Sequence, residues 1–224
     1  GERKEVNRVG AAVLSLVLLA LSLCAALLAG EFLIRKIAPQ GVYRFPTGMF
    51  VLDDATQYRL TPSFKGIAQT AEYRTAIRVN AAGLREDQDY GAKQKDLFRI
   101  LAIGDSFTMG VGVDAPQAYM KLQEQLAPAH AGRYEVINAG VPGYSPGQSL
   151  AYLEKRGLAL QPDLVVLSLF VGNDIIESYR QLPFYVIDGY LTNGLPQEGM
   201  LPPSVKLYLQ GNSHLYQLVW PMIA

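Results

Sequence analysis

The chain has 224 residues, and 20 Lys or Arg balance 20 Asp or Glu, so its formal net charge is zero; a nucleic-acid binder needs a basic surface to displace counterions from phosphates, and this balance argues against one. Half the residues are hydrophobic, and 21 Gly with 13 Pro is ordinary, which excludes collagen-like and disordered chains. A single cysteine, Cys24, leaves no disulfide framework and no Cys-based metal site.

The first element is apolar. From Val9 to Gly30 there are 22 residues without a charge, about 33 Å as a helix and enough for the hydrocarbon core of a bilayer. A cleaved signal peptide is the main competitor. Against it, Leu27 stands where a small residue is wanted for cleavage after Ala29. Leu23 before Cys24 and the apolar residues after it disfavour a lipidated cysteine. The expectation is an uncleaved single-pass anchor over residues 9–30, preceded by a short tail, 1–8. Arg3, Lys4 and Arg8 before the helix slightly outweigh Arg35 and Lys36 after it. That bias puts the N-terminus in the cytoplasm and the main domain in the periplasm or outside the cell, with membrane lipid as the first partner.

Residues 31–69 read as a membrane-proximal connector, because Pro39, Pro46, Pro62 and several glycines interrupt any long periodic pattern. The remaining residues, 70–224, read as an α/β domain. Ala71 to Asn80 alternates enough to predict a strand, which ends at an Ala-Ala-Gly turn before Leu84 and Arg85.

Beyond this turn the rhythm changes. Phe98–Ile103 (FRILAI), Tyr134–Asn138 (YEVIN) and Leu164–Val171 (LVVLSLFV) are short apolar runs. Helix-like stretches, roughly Pro116–Leu126 and Gly147–Leu160, separate them. Strands without alternation, spaced by helices, predict a parallel sheet covered on both faces. Sites in such sheets gather at the carboxyl ends of the strands. The loops to inspect are therefore Gly104–Gly110, Asn138–Ser145 and Gly172–Asp174.

Those loops carry a resemblance. Gly104-Asp105-Ser106-Phe107-Thr108-Met109-Gly110, directly after a strand, resembles the first signature block of the SGNH/GDSL hydrolases. Asn138-Ala139-Gly140 is similar to the block that supplies the family's glycine, and Gly172-Asn173-Asp174 to the block that supplies its asparagine. Asn80 to Arg85 (NAAGLR) is similar to what precedes the serine block in membrane-linked members. Three blocks in order, each after a predicted parallel strand, are far more specific than a lone Gly-Asp-Ser turn. The resemblance implies a three-layer SGNH/flavodoxin-like sandwich and no cofactor. It implies Ser106 as nucleophile, with the Ser106 and Gly140 N–H groups and the Asn173 amide forming an oxyanion hole. The residue types suit that chemistry. A serine on a tight strand-to-helix turn exposes its hydroxyl, and a tetrahedral intermediate needs preorganised donors. A side chain at Gly140 would crowd the acyl oxygen, while Asp105 and Asp174 fit local turn and cap roles.

A base is missing. The family places its histidine in a C-terminal Asp-x-x-His block, but the two histidines here, His130 and His214, have Ala127 and Gly211 three residues before them. His130 sits in a loop at the amino end of a strand, and His214 after Ser213 reads as a first-turn residue of a short helix reaching Trp220. Either the segment bearing Asp and His follows residue 224, or the protein is a homologue without a triad. Phe184–Thr192 (FYVIDGYLT) has Asp-Gly between β-like runs and predicts a hairpin, a cap-like insertion over the site.

Two functions are expected from these features. The first is a membrane-anchored serine esterase or O-acyltransferase acting on an acylated envelope glycan or a small ester. The second is a non-catalytic SGNH-like subunit, in which small residues such as Ala11, Ser15 and Ala25 pack the helix against other membrane subunits.

Overall fold

Contacts along the chain divide it into two units, one made of Gly1–Tyr43 with Val205–Ala224 and the other of Arg44–Ser204. The computed structural model describes residues 2–40, 45–70, 72–126, 134–172, 174–179, 183–193 and 201–223. The chain opens with α1 (Glu2–Ile37). Within it, Gly10–Ile37 is long and apolar enough to cross a membrane, about 42 Å at the helical rise. Its leucines are exposed along the whole stretch.

The second unit begins with two antiparallel hairpins. β1 (Phe50–Asp53) pairs with β2 (Gln57–Leu60), with Phe50 opposite Leu60. Asp53 Oδ1 accepts the N–H groups of Ala55 and Thr56 at 3.1 and 3.0 Å and closes the turn. β3 (Lys65–Gln69) pairs with β4 (Arg74–Arg78), and β4 alternates so that Thr75 and Ile77 point inward. Most of these strands lie inside the stretch that reads from sequence as a connector. Yet Met49, Phe50, Tyr58, Leu60 and Ala68 are buried in the same core as Leu101, Ile103 and Ile137. Strands of four or five residues are too short for their period to show against the prolines and glycines around them.

The sheet expected from the sequence follows. β5 (Phe98–Ile103) leads into a one-turn helix, α2 (Ser106–Met109), a tight turn at Ala115–Gln117, and α3 (Tyr119–Leu126). β6 (Tyr134–Asn138) precedes α4 (Pro146–Tyr152), which runs on as a wide turn at Leu153–Gly157 and a tight one at Leu158–Leu160. β7 (Leu164–Leu167) precedes α5 (Asp174–Tyr179). The strands are parallel in the order β6-β5-β7, so the mixed α/β architecture with a helix-flanked parallel sheet is as the apolar runs imply. β5 is central, with Arg99, Leu101, Ala102 and Ile103 buried. Arg99, charged but only 3% exposed, sits near its amino end, donating to Glu135 Oε1 of β6 at 2.5 Å and to the Leu160 carbonyl at 2.6 Å. Gly157 lets the helical segment after β6 approach β5, since a Cβ there would lie 2.8 Å from Leu101 Cδ2. β7 is shorter than the apolar run that predicts it, and Leu164, Leu167 and Leu169 at this edge of the described sheet are exposed.

β8 (Phe184–Ile187) and β9 (Tyr190–Asn193) form the hairpin that Asp-Gly predicts. Asp188 and Gly189 take φ of 49° and 81°, the left-handed pair a tight hairpin turn requires. It packs on the first hairpin. The Gly189 carbonyl accepts the Gly48 N–H at 2.8 Å, and the Phe184 ring lies 4.7 Å from that of Tyr58. Aromatic burial against the first hairpin therefore fixes it. The chain closes with α6 (Pro203–Asn212) and α7 (His214–Ile223).

Candidate functional site

The central strand ends at Ile103, and the chain turns at once. Gly104 has φ of 152°, and a Cβ there would lie 2.8 Å from the Ser168 carbonyl, so only glycine fits. Asp105 caps α2: its Oδ1 accepts the Phe107 N–H at 2.9 Å. Gly110, at φ 82°, terminates the helix and donates to the Ser106 and Phe107 carbonyls, both at 3.1 Å. Ser106 is thus the first residue of a helical turn fixed at both ends. It is half-buried, and its Oγ has no hydrogen bond among the described residues.

The second loop packs directly on this turn. Val141 N–H donates to the Gly104 carbonyl at 3.0 Å, continuing the β5–β6 pairing past the strand ends. Asn138 is buried and bridges the two loops. Its Nδ2 donates to the Thr108 carbonyl at 2.6 Å, and its Oδ1 accepts the Gly140 N–H at 3.0 Å. A Cβ on Gly140 would lie 2.7 Å from the Thr108 carbonyl carbon. The demand for glycine therefore comes from the backbone of α2, a contact that the sequence does not reveal. The Gly140 N–H points at Asn138 in this structure.

The third loop joins them. Ser168 N–H donates to the Ile103 carbonyl at 3.0 Å. Ser168 Oγ also shares a hydrogen bond with the Tyr119 hydroxyl, which stands 3.5 Å from Thr108 Oγ1. The exposed rings of Phe107 and Phe170 lie 4.6 Å apart beside Ser106. Asp174 opens α5 and its Oδ2 accepts the Phe170 N–H at 2.8 Å, the local role its residue type suggests. The loops bearing Ser106 and Gly140, and the one leading toward Asn173, thus meet at the carboxyl ends of the strands. Asn173 itself lies outside the described residues, as does His130. His214 belongs to the other unit, where its Nδ1 accepts the Gln40 N–H at 2.8 Å. It stands in the first turn of α7, which runs to Ile223, with the Ser213 hydroxyl accepting the Tyr216 N–H at 3.1 Å.

Two supporting residues escape a reading of motifs alone. Asn80 Oδ1 accepts the Ala82 and Leu84 N–H groups at 3.1 and 2.9 Å, and Gly83 takes φ of 86°. This turn delivers Arg85 beneath the end of α2. Arg85 is 2% exposed, with its guanidinium donating to the carbonyls of Met109 (3.1 Å), Gly110 (2.6 Å) and Val113 (2.6 Å). Burial lowers its pKa, opposed by the charge of Asp114. Next to it, Glu86 is buried and accepts Lys121 Nζ at 3.2 Å and the Asn138 N–H at 3.3 Å. Burial pushes its carboxyl above the ordinary glutamate range, although Lys121 opposes the shift. The NAAGLR segment is the sequence signal for Arg85. Glu86 has none, because Lys121 is far away in the chain.

Residues 102–188 match the model of the GDSL-like Lipase/Acylhydrolase family. Among solved structures, that titled "Crystal Structure of TesA" is 30% identical, with a TM-score of 0.32 and coverage of 36% of this chain and 44% of its own. AlinE4, described as an SGNH-hydrolase family esterase, is 28% identical, with a TM-score of 0.31 and coverage of 38% and 46%. The chain spans less than half the length of either. No curated protein matches it. The matched segment carries the serine, glycine and asparagine blocks, and it supports the SGNH/GDSL superfamily as the family of this segment.

Proposed function

We propose that the protein is a membrane-anchored serine ester hydrolase or O-acyltransferase. The observation that carries this reading is Ser106, half-buried at the start of a one-turn helix on the central strand, its hydroxyl without a partner among the described residues. Ser106 Oγ adds to the carbonyl carbon of an ester, and its proton passes to a base that lies outside the described residues. The ester C–O bond then breaks and the alcohol leaves with a proton, giving an acyl-serine. Water completes hydrolysis, or a second hydroxyl completes transfer. Donors from Ser106 N–H, Gly140 N–H and the Asn173 amide stabilise the oxyanion; the Gly140 donor must then be shared with, or released from, Asn138 Oδ1. The anchor with its N-terminus inside makes an acylated envelope glycan the first substrate class, presented to a domain in the periplasm or at the cell surface.

One observation favours a second reading, a non-catalytic subunit of a membrane complex: the Gly140 N–H is already engaged by Asn138. A fluorophosphonate probe separates the two. Labelling of the full-length protein that disappears in Ser106→Ala supports the enzyme. An unlabelled serine, together with stoichiometric co-purification with other membrane proteins in mild detergent, supports the subunit.

A further inference from the structure

We infer that α6 and α7 form an interfacial element that lies on the lipid surface where α1 leaves the bilayer. The inference rests on the anchor reading of α1.

Glu31 is the first charged residue after the uncharged run, and a carboxylate is costly within the hydrocarbon. It therefore marks the level at which α1 emerges. The start of α7 is pinned to this residue. The carboxylate accepts Ser213 Oγ at 2.8 Å and the His214 and Leu215 N–H groups at 3.1 and 2.9 Å. Arg35 Nη2 bonds both Glu31 Oε1 at 2.9 Å and the Asn212 carbonyl at 3.0 Å, tying the end of α6 to the same point. A Cβ at Gly30 would lie 3.5 Å from Leu215 Cδ2, whereas residues 11–29 of α1 are exposed. Hence α7 leaves α1 at the emergence level and does not follow it into the core.

What leaves is strongly apolar. Residues 207–224 contain no Asp, Glu, Lys or Arg, and α7 reads HLYQLVWPMI. Projecting into water, this helix would leave Leu215, Leu218 and Trp220 half-exposed and Val219 at the surface. Laid at the boundary between headgroups and acyl chains, it buries them beside the anchor. Its aromatic residues suit that depth: Tyr216 stacks on Trp220 with centroids 5.4 Å apart, and Lys206 Nζ lies 5.2 Å from the Trp220 ring centroid. Aromatic rings with an ammonium reaching outward are the usual furniture of the membrane interface.

Trp220 is the single tryptophan of these 224 residues, so it reports its own depth. The full-length protein and its Trp220→Phe variant are reconstituted into phosphatidylcholine–phosphatidylglycerol vesicles, and the difference emission is assigned to Trp220. The expected result is at least a twofold loss of that emission with lipids brominated near the glycerol end of the acyl chains, and a smaller loss with lipids brominated near the chain middle. Flotation of the same vesicles tests the anchor separately. A protein that floats while Trp220 is untouched by either lipid overturns the inference and leaves the anchor standing. Stronger quenching from mid-chain bromine also overturns it, by placing α7 in the core. A protein that fails to float refutes the anchor, and the inference with it.

Discussion

Replacing Arg85 with methionine removes the guanidinium and keeps most of the aliphatic stem. Three short hydrogen bonds disappear, to the carbonyls of Met109, Gly110 and Val113. The Gly110 carbonyl keeps the Val113 N–H at 3.3 Å, but the Met109 and Val113 carbonyls are left dry at about 1–3 kcal/mol each, a gross loss of about 2–6 kcal/mol. Removing a buried cation returns part of this, because its desolvation penalty vanishes. A net destabilisation of about 2–4 kcal/mol is expected, a substantial share of the 5–15 kcal/mol typical of a folded domain. For a domain of this size the melting temperature should fall by about 5–15 °C, measured by thermal unfolding of the detergent-solubilised protein. Arg85→Lys should fall between the two, since one ammonium cannot reach all three carbonyls. Fluorophosphonate labelling of Ser106 should slow in the same order, because the carbonyls that Arg85 holds are the end of the helix that Ser106 begins. A methionine variant that melts within about 1 °C of the parent would refute the reasoning, for it would mean the carbonyls are satisfied without the guanidinium.

Further substitutions probe the neighbouring contacts. Gly140→Ala should destabilise by more than about 3 kcal/mol, because the new methyl meets the rigid backbone of α2; an unchanged melting temperature would show that the two loops can separate. Tyr58→Phe should cost about 1–2 kcal/mol by orphaning the buried Pro142 carbonyl, which accepts the Tyr58 hydroxyl at 2.8 Å; denaturation midpoints check this. Glu86 sets a pH dependence. With its folded pKa raised, its contribution to stability is complete below the ordinary glutamate range and is lost as pH rises through the folded value. Melting curves of the parent should therefore lose ground over that window relative to Glu86→Gln, and parallel curves would contradict a raised pKa.

The sequence by itself determined the sheet and the candidate loops, because both are written in short contiguous signals. β5, β6 and β7 are apolar runs of four to six residues bounded by glycine or loop residues, and an apolar run without alternation is recognisable without its partner strands. The turn glycines Gly104 and Gly110 mark where the backbone must take positive φ, and Asp188-Gly189 declares a hairpin before any contact is known. Only the tertiary structure decided where these pieces go. Residues 50–69 belong to the core because Phe50, Tyr58 and Leu60 meet side chains from the sheet, a fact that four-residue strands cannot carry locally. The 184–193 hairpin lies on the first hairpin through Gly48 and Tyr58, and its own sequence names neither partner. Arg85 and Glu86 acquire their roles from carbonyls and a lysine that lie 24 to 35 positions away. Gly140 must be glycine because Thr108 and Met109 are there. Local conformation follows from each residue's own backbone preferences and its near neighbours, whereas burial, charge pairing and steric exclusion depend on which distant segments the fold brings together.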